Sequence, residues 1–161
     1  MARRRLALAS FSVSSISSCS EMLAALRTWW ARRSRPKSLG ERGELAAVRY
    51  LKRKGYYIVG RQIDLGVGEL DIVAVDGHTV VFVEVKTRRS DAAGTPAEAV
   101  DDRRQQRMTR AALAYLKSHG LLNHSARFDI VAILWPEEAR RPAIDHYQNS
   151  FSPVNVGQLF S

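Results

Sequence analysis

The stretch ELDIVAVDGHTVVFVEVKTR, residues 69–88, decides the fold of this protein. Two runs of β-branched and apolar residues flank Asp76-Gly77, a dipeptide that favours tight hairpin turns. The second run, 79–88, holds Val80, Val81, Phe82, Val83 and Val85 and is apolar on both faces. A strand of that composition belongs at the centre of a sheet covered on both sides. Three charges interrupt the apolar pattern. Glu84 and Lys86 are two residues apart and project from one face, because side chains alternate along a strand. Asp71 interrupts the first run. A loop of Asp76-Gly77 pairs Asp71 with Phe82, and a loop of Gly77-His78 pairs it with Glu84. In both registers Asp71, Glu84 and Lys86 share one face.

Upstream of the hairpin, SLGERGELAAVRYLKRKG (38–55) reads as a helix closed by Gly55. Its apolar line is Ala47, Val48 and Leu51, and Glu44 falls on that line, so the spacing predicts Glu44 on the packed side. YYIVGRQI (56–63) has strand character. Downstream, RSDAAGT (89–95) is a polar loop, and Thr95-Pro96-Ala97-Glu98 has the pattern of a capping box on a short helical turn. Asp101 is a second N-cap, opening a helix that runs to Gly120. ARFDIVAILW (126–135) is a strand stopped by Pro136, and PAIDHYQ (142–148) a short edge strand. The order is α-β-β-β-α-β with one further strand. The long helix after the third strand suits a crossover to a parallel neighbour. The expectation is an α/β protein with a central mixed sheet flanked by helices.

Composition bounds the rest. The chain has 161 residues, room for one domain, with 45% hydrophobic and 25% charged residues, which excludes wholesale disorder. No apolar run is long enough to span a membrane. A single cysteine, Cys19, excludes a disulfide framework and points to a reducing compartment, the cytoplasm. Of the net charge of +9, residues 1–37 carry most, with eight Lys and Arg against Glu21 alone. This segment reads as a basic N-terminal extension, and residues 38–161 as the domain. Arg3-Arg4-Arg5 followed by a serine-diluted apolar run loosely imitates an export signal; the plainer readings are a disordered leader or a translation start at Met22. A basic arm suits a polyanionic partner.

The converging charges carry the chemistry. Carboxylates at close range in a half-buried site resist ionisation. A divalent cation relieves the repulsion, and oxygen ligands favour Mg²⁺ or Mn²⁺. Such an ion activates water and polarises a phosphoryl oxygen, and a neighbouring lysine stabilises developing negative charge. A lone acid-x-Lys arises by chance about 0.5 times in a chain with 16 acids and five lysines, so the weight rests on Asp71 sharing the face. The alternative is a structural salt-bridge cluster. Thr87, Arg88 and Arg89 follow the site directly and are candidates for phosphate contact. Arg103, Arg104, Arg107 and Arg110 mark a basic face on the crossover helix, which is either a solvated surface or a phosphate contact. Asp129, alone in an apolar strand, reads as structural, satisfying a buried backbone group or Arg127.

Five blocks in order carry a family resemblance: Gly40-Glu41-Arg42-Gly43-Glu44, Gly68-Glu69-Leu70-Asp71-Ile72-Val73, Val83-Glu84-Val85-Lys86-Thr87-Arg88, Pro96-Ala97-Glu98-Ala99-Val100 and Arg127-Phe128-Asp129-Ile130-Val131. Over roughly residues 38–151 the chain resembles the YraN-type uncharacterised bacterial proteins. The resemblance implies the restriction-endonuclease-like fold of the PD-(D/E)xK nucleases, with an αβββαβ core arranged as in archaeal-type Holliday junction resolvases. It implies Asp71 and Glu84 as metal ligands and Glu44, Asp71, Glu84 and Lys86 as the catalytic set. Nucleic-acid contacts from Thr87, Arg88, Arg89, Arg103 and Arg107 would complete the site. The motif proline is absent, Leu70 standing before Asp71. The expected function is Mg²⁺- or Mn²⁺-dependent hydrolysis of phosphodiesters in DNA, branched or damaged. The alternative is a nucleic-acid-binding module of the same fold without turnover. A homodimer is compatible with either, and neither needs a membrane span.

Overall fold

The computed structural model of the protein describes residues 37–90 and 101–154. The basic N-terminal segment and the Thr95-Pro96-Ala97-Glu98 turn lie outside the described residues. The elements are α1 (Leu39–Arg53), β1 (Tyr57–Asp64), β2 (Glu69–Asp76), β3 (Thr79–Arg88), α2 (Asp102–Ser118), β4 (Ala126–Leu134) and β5 (Ala143–Phe151).

Local chemistry sets the helix ends. Ser38 caps α1 in a reciprocal box: its hydroxyl accepts from the Glu41 amide at 3.2 Å, and the Glu41 carboxylate accepts from the Ser38 amide at 2.7 Å. At the other end Gly55 takes φ +93, Tyr56 N–H donates to Leu51 O and Gly55 N–H donates to Lys52 O. That is a Schellman closure, which needs a left-handed residue and so a glycine. Asp101 caps α2, its carboxylate accepting from the Arg104 amide at 2.8 Å.

The five strands form one mixed sheet in the order β1-β2-β3-β4-β5. β1, β2 and β3 are an antiparallel meander, β3 and β4 run parallel across the α2 crossover, and β5 returns antiparallel on the edge. The β2–β3 turn is Gly77-His78, with Asp76 opposite Thr79 and Gly77 at φ +58. β5 extends past the expected 142–148 to Phe151. Asn149, at φ +49, sits where the β4–β5 register shifts, and the strand resumes with Phe151 opposite Phe128, their rings 4.6 Å apart.

Among the described residues, each face of the sheet carries one helix. Ala46, Ala47 and Leu51 of α1 pack with Ile72, Ala74, Val81, Val83, Val131 and Ile133. Met108, Ala111, Ala112, Tyr115 and Leu116 of α2 pack with Val73, Val80, Phe82 and Phe128. β3 is therefore buried on both faces, as its composition demands. Gly68 lets the start of β2 approach α2: a Cβ there would stand 3.2 Å from Arg107 O and 3.3 Å from the Ala111 methyl. Among the described residues, no helix is long and apolar enough to cross a membrane.

Candidate functional site

Val80 and Phe82 of β3 face α2. Strand alternation then turns Glu84 and Lys86 to the same face, at the end of the strand where the apolar contacts stop. Asp71 lies two residues from Val73, which also faces α2. Val73 pairs with Phe82 and Ile72 with Val83, where the ladder ends; beyond it the Val85 amide donates to the Asp71 carboxylate, which holds Asp71 beside Glu84 and within reach of Arg104 on α2. The site thus sits at one end of two adjacent central strands, beneath the start of α2.

Glu84 is buried, with 1% of its surface exposed. Its Oε1 is 3.0 Å from Lys86 Nζ and 2.5 Å from Arg104 Nη2. Neither approach has the alignment of a hydrogen bond, so Oε1 is a buried oxygen without a hydrogen-bond partner, and Arg104 Nε is likewise unsatisfied. Asp71 Oδ2 accepts a 2.8 Å hydrogen bond from the Val85 amide, and its Oδ1 lies 3.9 Å from Arg104 Nη2. Burial pushes the Asp71 carboxyl from its ordinary 3.8 up to about 6, and the like charge of Glu84 adds to the rise. The Val85 amide and Arg104 pull the other way, and Glu44 contributes a further small rise.

Glu44 reaches this region from the opposite layer. α1 packs on the other face of the sheet, and its second turn drops close to β3 at Gly43, where a Cβ would fall 1.8 Å from Thr87 Oγ1. That contact sets the height of Glu44, which is half-buried and accepts a 3.4 Å hydrogen bond from Gln62. Its charge is felt at Asp71, but among the described residues no three acidic, His or Cys side chains gather around a common ion position. The expected convergence of three carboxylates is therefore two on the α2 face, with Glu44 outside them because its helix lies across the sheet. Asp71 and Glu84 are the oxygen donors that suit a hard divalent cation: a carboxylate that resists ionisation beside one whose oxygen lacks a hydrogen bond.

The basic residues divide. Thr87 turns to the α1 face against Gly43, away from the carboxylates, with its hydroxyl buried and without a hydrogen-bond partner. Arg88 is half-buried at the end of β3, and its carbonyl accepts from the Trp135 amide at 2.8 Å. Arg89 is exposed and pairs with Glu137 at 2.8 Å. Arg103, Arg107 and Arg110 are exposed along α2. Arg104 is the helix arginine that enters the site. The sequence held a signal for it: Arg104, Met108, Ala111, Ala112 and Tyr115 stand at i, i+4, i+7, i+8 and i+11, the inward line of α2.

A second polar network occupies the α1 face. Asp129, fully buried, accepts from Arg127 Nε at 3.0 Å and from the Asn149 amide at 3.0 Å, and its other oxygen is 2.9 Å from His146 Nε2. Arg127 continues to Asp76 and to the Tyr56 hydroxyl, each at 2.8 Å. Burial opposes ionisation of Asp129, but these hydrogen bonds outweigh it and hold its carboxyl below the usual carboxylate range. The network ties β4 and β5 to the end of β2 and to Tyr56, just before β1. Its partner Arg127 was expected from the sequence, whereas His146, Tyr56 and Asn149 were not.

Residues 43–133 match the uncharacterised protein family UPF0102. The chain is 50% identical over 115 residues to a UPF0102 protein of Geotalea uraniireducens, covering 71% of this chain and 90% of the relative. It is 48% identical over 117 residues to one of Geobacter sulfurreducens, covering 71% and 89%. A UPF0102 protein of Rhodopirellula baltica is 42% identical over 125 residues, covering 76% and 75%.

Proposed function

The chain belongs to the UPF0102 family, and we propose that it is a metal-dependent nuclease that hydrolyses phosphodiester bonds in DNA, with branched or damaged DNA as its substrate. The observation that carries this reading is the pair Asp71 and Glu84, side by side on adjacent central strands and both approached by Arg104 Nη2, with Lys86 3.0 Å from Glu84. Burying two like charges side by side costs stability, and a protein keeps such a pair where the charge has work to do. Asp71 Oδ1 and Glu84 Oε1 would hold a Mg²⁺ or Mn²⁺ ion. Such an ion, when bound, supplies Lewis acidity at a phosphoryl oxygen and lowers the pKa of water.

The chain's own groups supply the rest. Lys86, fixed against Glu84, orients the attacking water and offers positive charge to the developing oxyanion. The Val85 amide locks Asp71 through Oδ2 and leaves Oδ1 directed at the site. Exposed Arg103 and Arg107 on α2 contact the flanking phosphates and set the polarity of approach. Thr87 is not in this set, since it faces the other layer.

One observation favours a second reading, a nucleic-acid-binding protein without turnover: Arg104 already neutralises Glu84. Cleavage of a four-way DNA junction with Mg²⁺ and with Mn²⁺ separates the two. The nuclease reading expects cleavage by the wild type, its collapse in Asp71→Asn with DNA binding kept, and its loss in Lys86→Ala with metal binding kept. A wild type that binds the junction and cleaves nothing with either ion supports the second reading. Cleavage that survives Asp71→Asn removes the catalytic assignment.

A further inference from the structure

Arg104 is held at the carboxylate pair by the start of α2. Asp101 caps the helix through both its side chain and its carbonyl, each accepting from the Arg104 amide, at 2.8 and 2.9 Å. With the backbone so fixed, the side chain runs along the inward line of the helix and ends between Glu84 and Asp71. Its Nη2 is 2.5 Å from Glu84 Oε1 and 3.9 Å from Asp71 Oδ1. One nitrogen therefore stands where a cation shared by the two carboxylates would stand.

The pairing is incomplete in its geometry. Guanidinium and carboxylate fit best as a fork, with two parallel N–H···O bonds. Here one nitrogen makes the approach, it lacks hydrogen-bond alignment, and Nε is buried with no partner. The side chain keeps about a third of its surface open to solvent, at 35%, so it is not enclosed at the site. A positive charge that is close, incompletely hydrogen-bonded and partly open to solvent is the expected form of an exchangeable counter-ion.

We propose that Arg104 is the site's internal counter-ion, competing directly with a divalent cation for Asp71 and Glu84 and leaving when the cation binds. This rests on the metal reading of the Asp71–Glu84 pair but is independent of turnover. Lys86 does not play the same part: it approaches Glu84 alone from its own strand, without bridging to Asp71.

The test is Mn²⁺ binding by isothermal titration calorimetry at pH 7.5 on the wild type, Arg104→Gln, Arg104→Lys and Arg104→Gln with Asp71→Asn. Removing a full positive charge within 4 Å of both ligands should tighten Mn²⁺ binding at least about tenfold in Arg104→Gln. Arg104→Lys keeps the charge and should stay near the wild-type affinity. The double variant should lose the gain, since the gain depends on the Asp71 charge. A measurement on the wild type needs no substitution: in ¹⁵N-labelled protein the Arg104 Nε resonance should move on Mg²⁺ titration and saturate with the Asp71 amide. Equal Mn²⁺ affinity in wild type and Arg104→Gln, an Arg104 Nε resonance unmoved at saturating Mg²⁺, or no Mn²⁺ binding by any variant would each overturn the proposal. Tight Mn²⁺ binding by Arg104→Gln with no cleavage of DNA would leave the counter-ion in place and remove the nuclease reading. Equal affinities with active cleavage would do the reverse.

Discussion

Asp71→Asn should make the protein more stable while removing its chemistry. The side chain keeps 16% of its surface exposed and sits beside the buried Glu84. Burial and the neighbouring charge raise its carboxyl from 3.8 to about 6. A difference of about two units corresponds to about 3 kcal/mol between the protonation states. Below pH 3.8 the folded and unfolded chains both carry the proton at this position, and there is no penalty. Between 3.8 and 6 the unfolded chain releases its proton while the folded chain holds it, so folding stability falls as pH rises. Above 6 the folded protein bears the whole cost of the charge. Asparagine is neutral throughout, and its carbonyl oxygen can still accept from the Val85 amide. Asp71→Asn should therefore exceed the wild type by about 3 kcal/mol at pH 7.5, about 10 °C in midpoint for a domain of this size, and match it near pH 4. Urea denaturation followed by circular dichroism at pH 4, 5, 6 and 7.5 measures both. Mn²⁺ at a hundredfold over its dissociation constant should then add about 2.7 kcal/mol to the wild type and nothing to the variant. A variant less stable than wild type at pH 7.5, or a difference that does not change with pH, would refute the reasoning.

Two further outcomes test the scaffold. Gly43→Ala should destabilise by about 1–3 kcal/mol in a thermal melt, because the new methyl would meet Thr87 Oγ1 at 1.8 Å; an ordinary helix position would gain about 1 kcal/mol from the same change. Adding Thr87→Ala should recover part of the loss, and a Gly43→Ala protein more stable than wild type would exclude the close contact. Asp129→Asn should cost about 1–3 kcal/mol at pH 7, since it removes the buried one of Arg127's two carboxylate partners and leaves Asp76. The difference from wild type should shrink as pH falls through the depressed Asp129 pKa, because the stabilising charge is lost there.

The sequence alone determined the strand order along the chain, the placement of β3 at the centre of the sheet and the common face of Asp71, Glu84 and Lys86. Those properties follow from period-two alternation and a two-residue turn, which are local. Both two-residue hairpin registers, through Asp76-Gly77 and through Gly77-His78, preserve that face. Glu44, Arg104 and Thr87 were different. Glu44 lies on the inward line of α1, as its spacing predicts, yet α1 covers the face opposite the carboxylates. Arg104 lies on the inward line of α2, and α2 covers the carboxylate face. Helical spacing says that a residue points at the sheet; which side of the sheet its helix covers depends on the crossover and on how each helix packs. Thr87 follows Lys86 in the chain, but one step along a strand reverses the face, and Gly43 meets it there. His146 reaches Asp129 from β5, and Tyr56, just before β1, reaches Arg127, brought together by strand pairing and the bulge at Asn149. Periodicity is a property of a segment and can be read from it. Which charges end within 4 Å of one another depends on how distant segments pack, and that packing exists only in the folded protein.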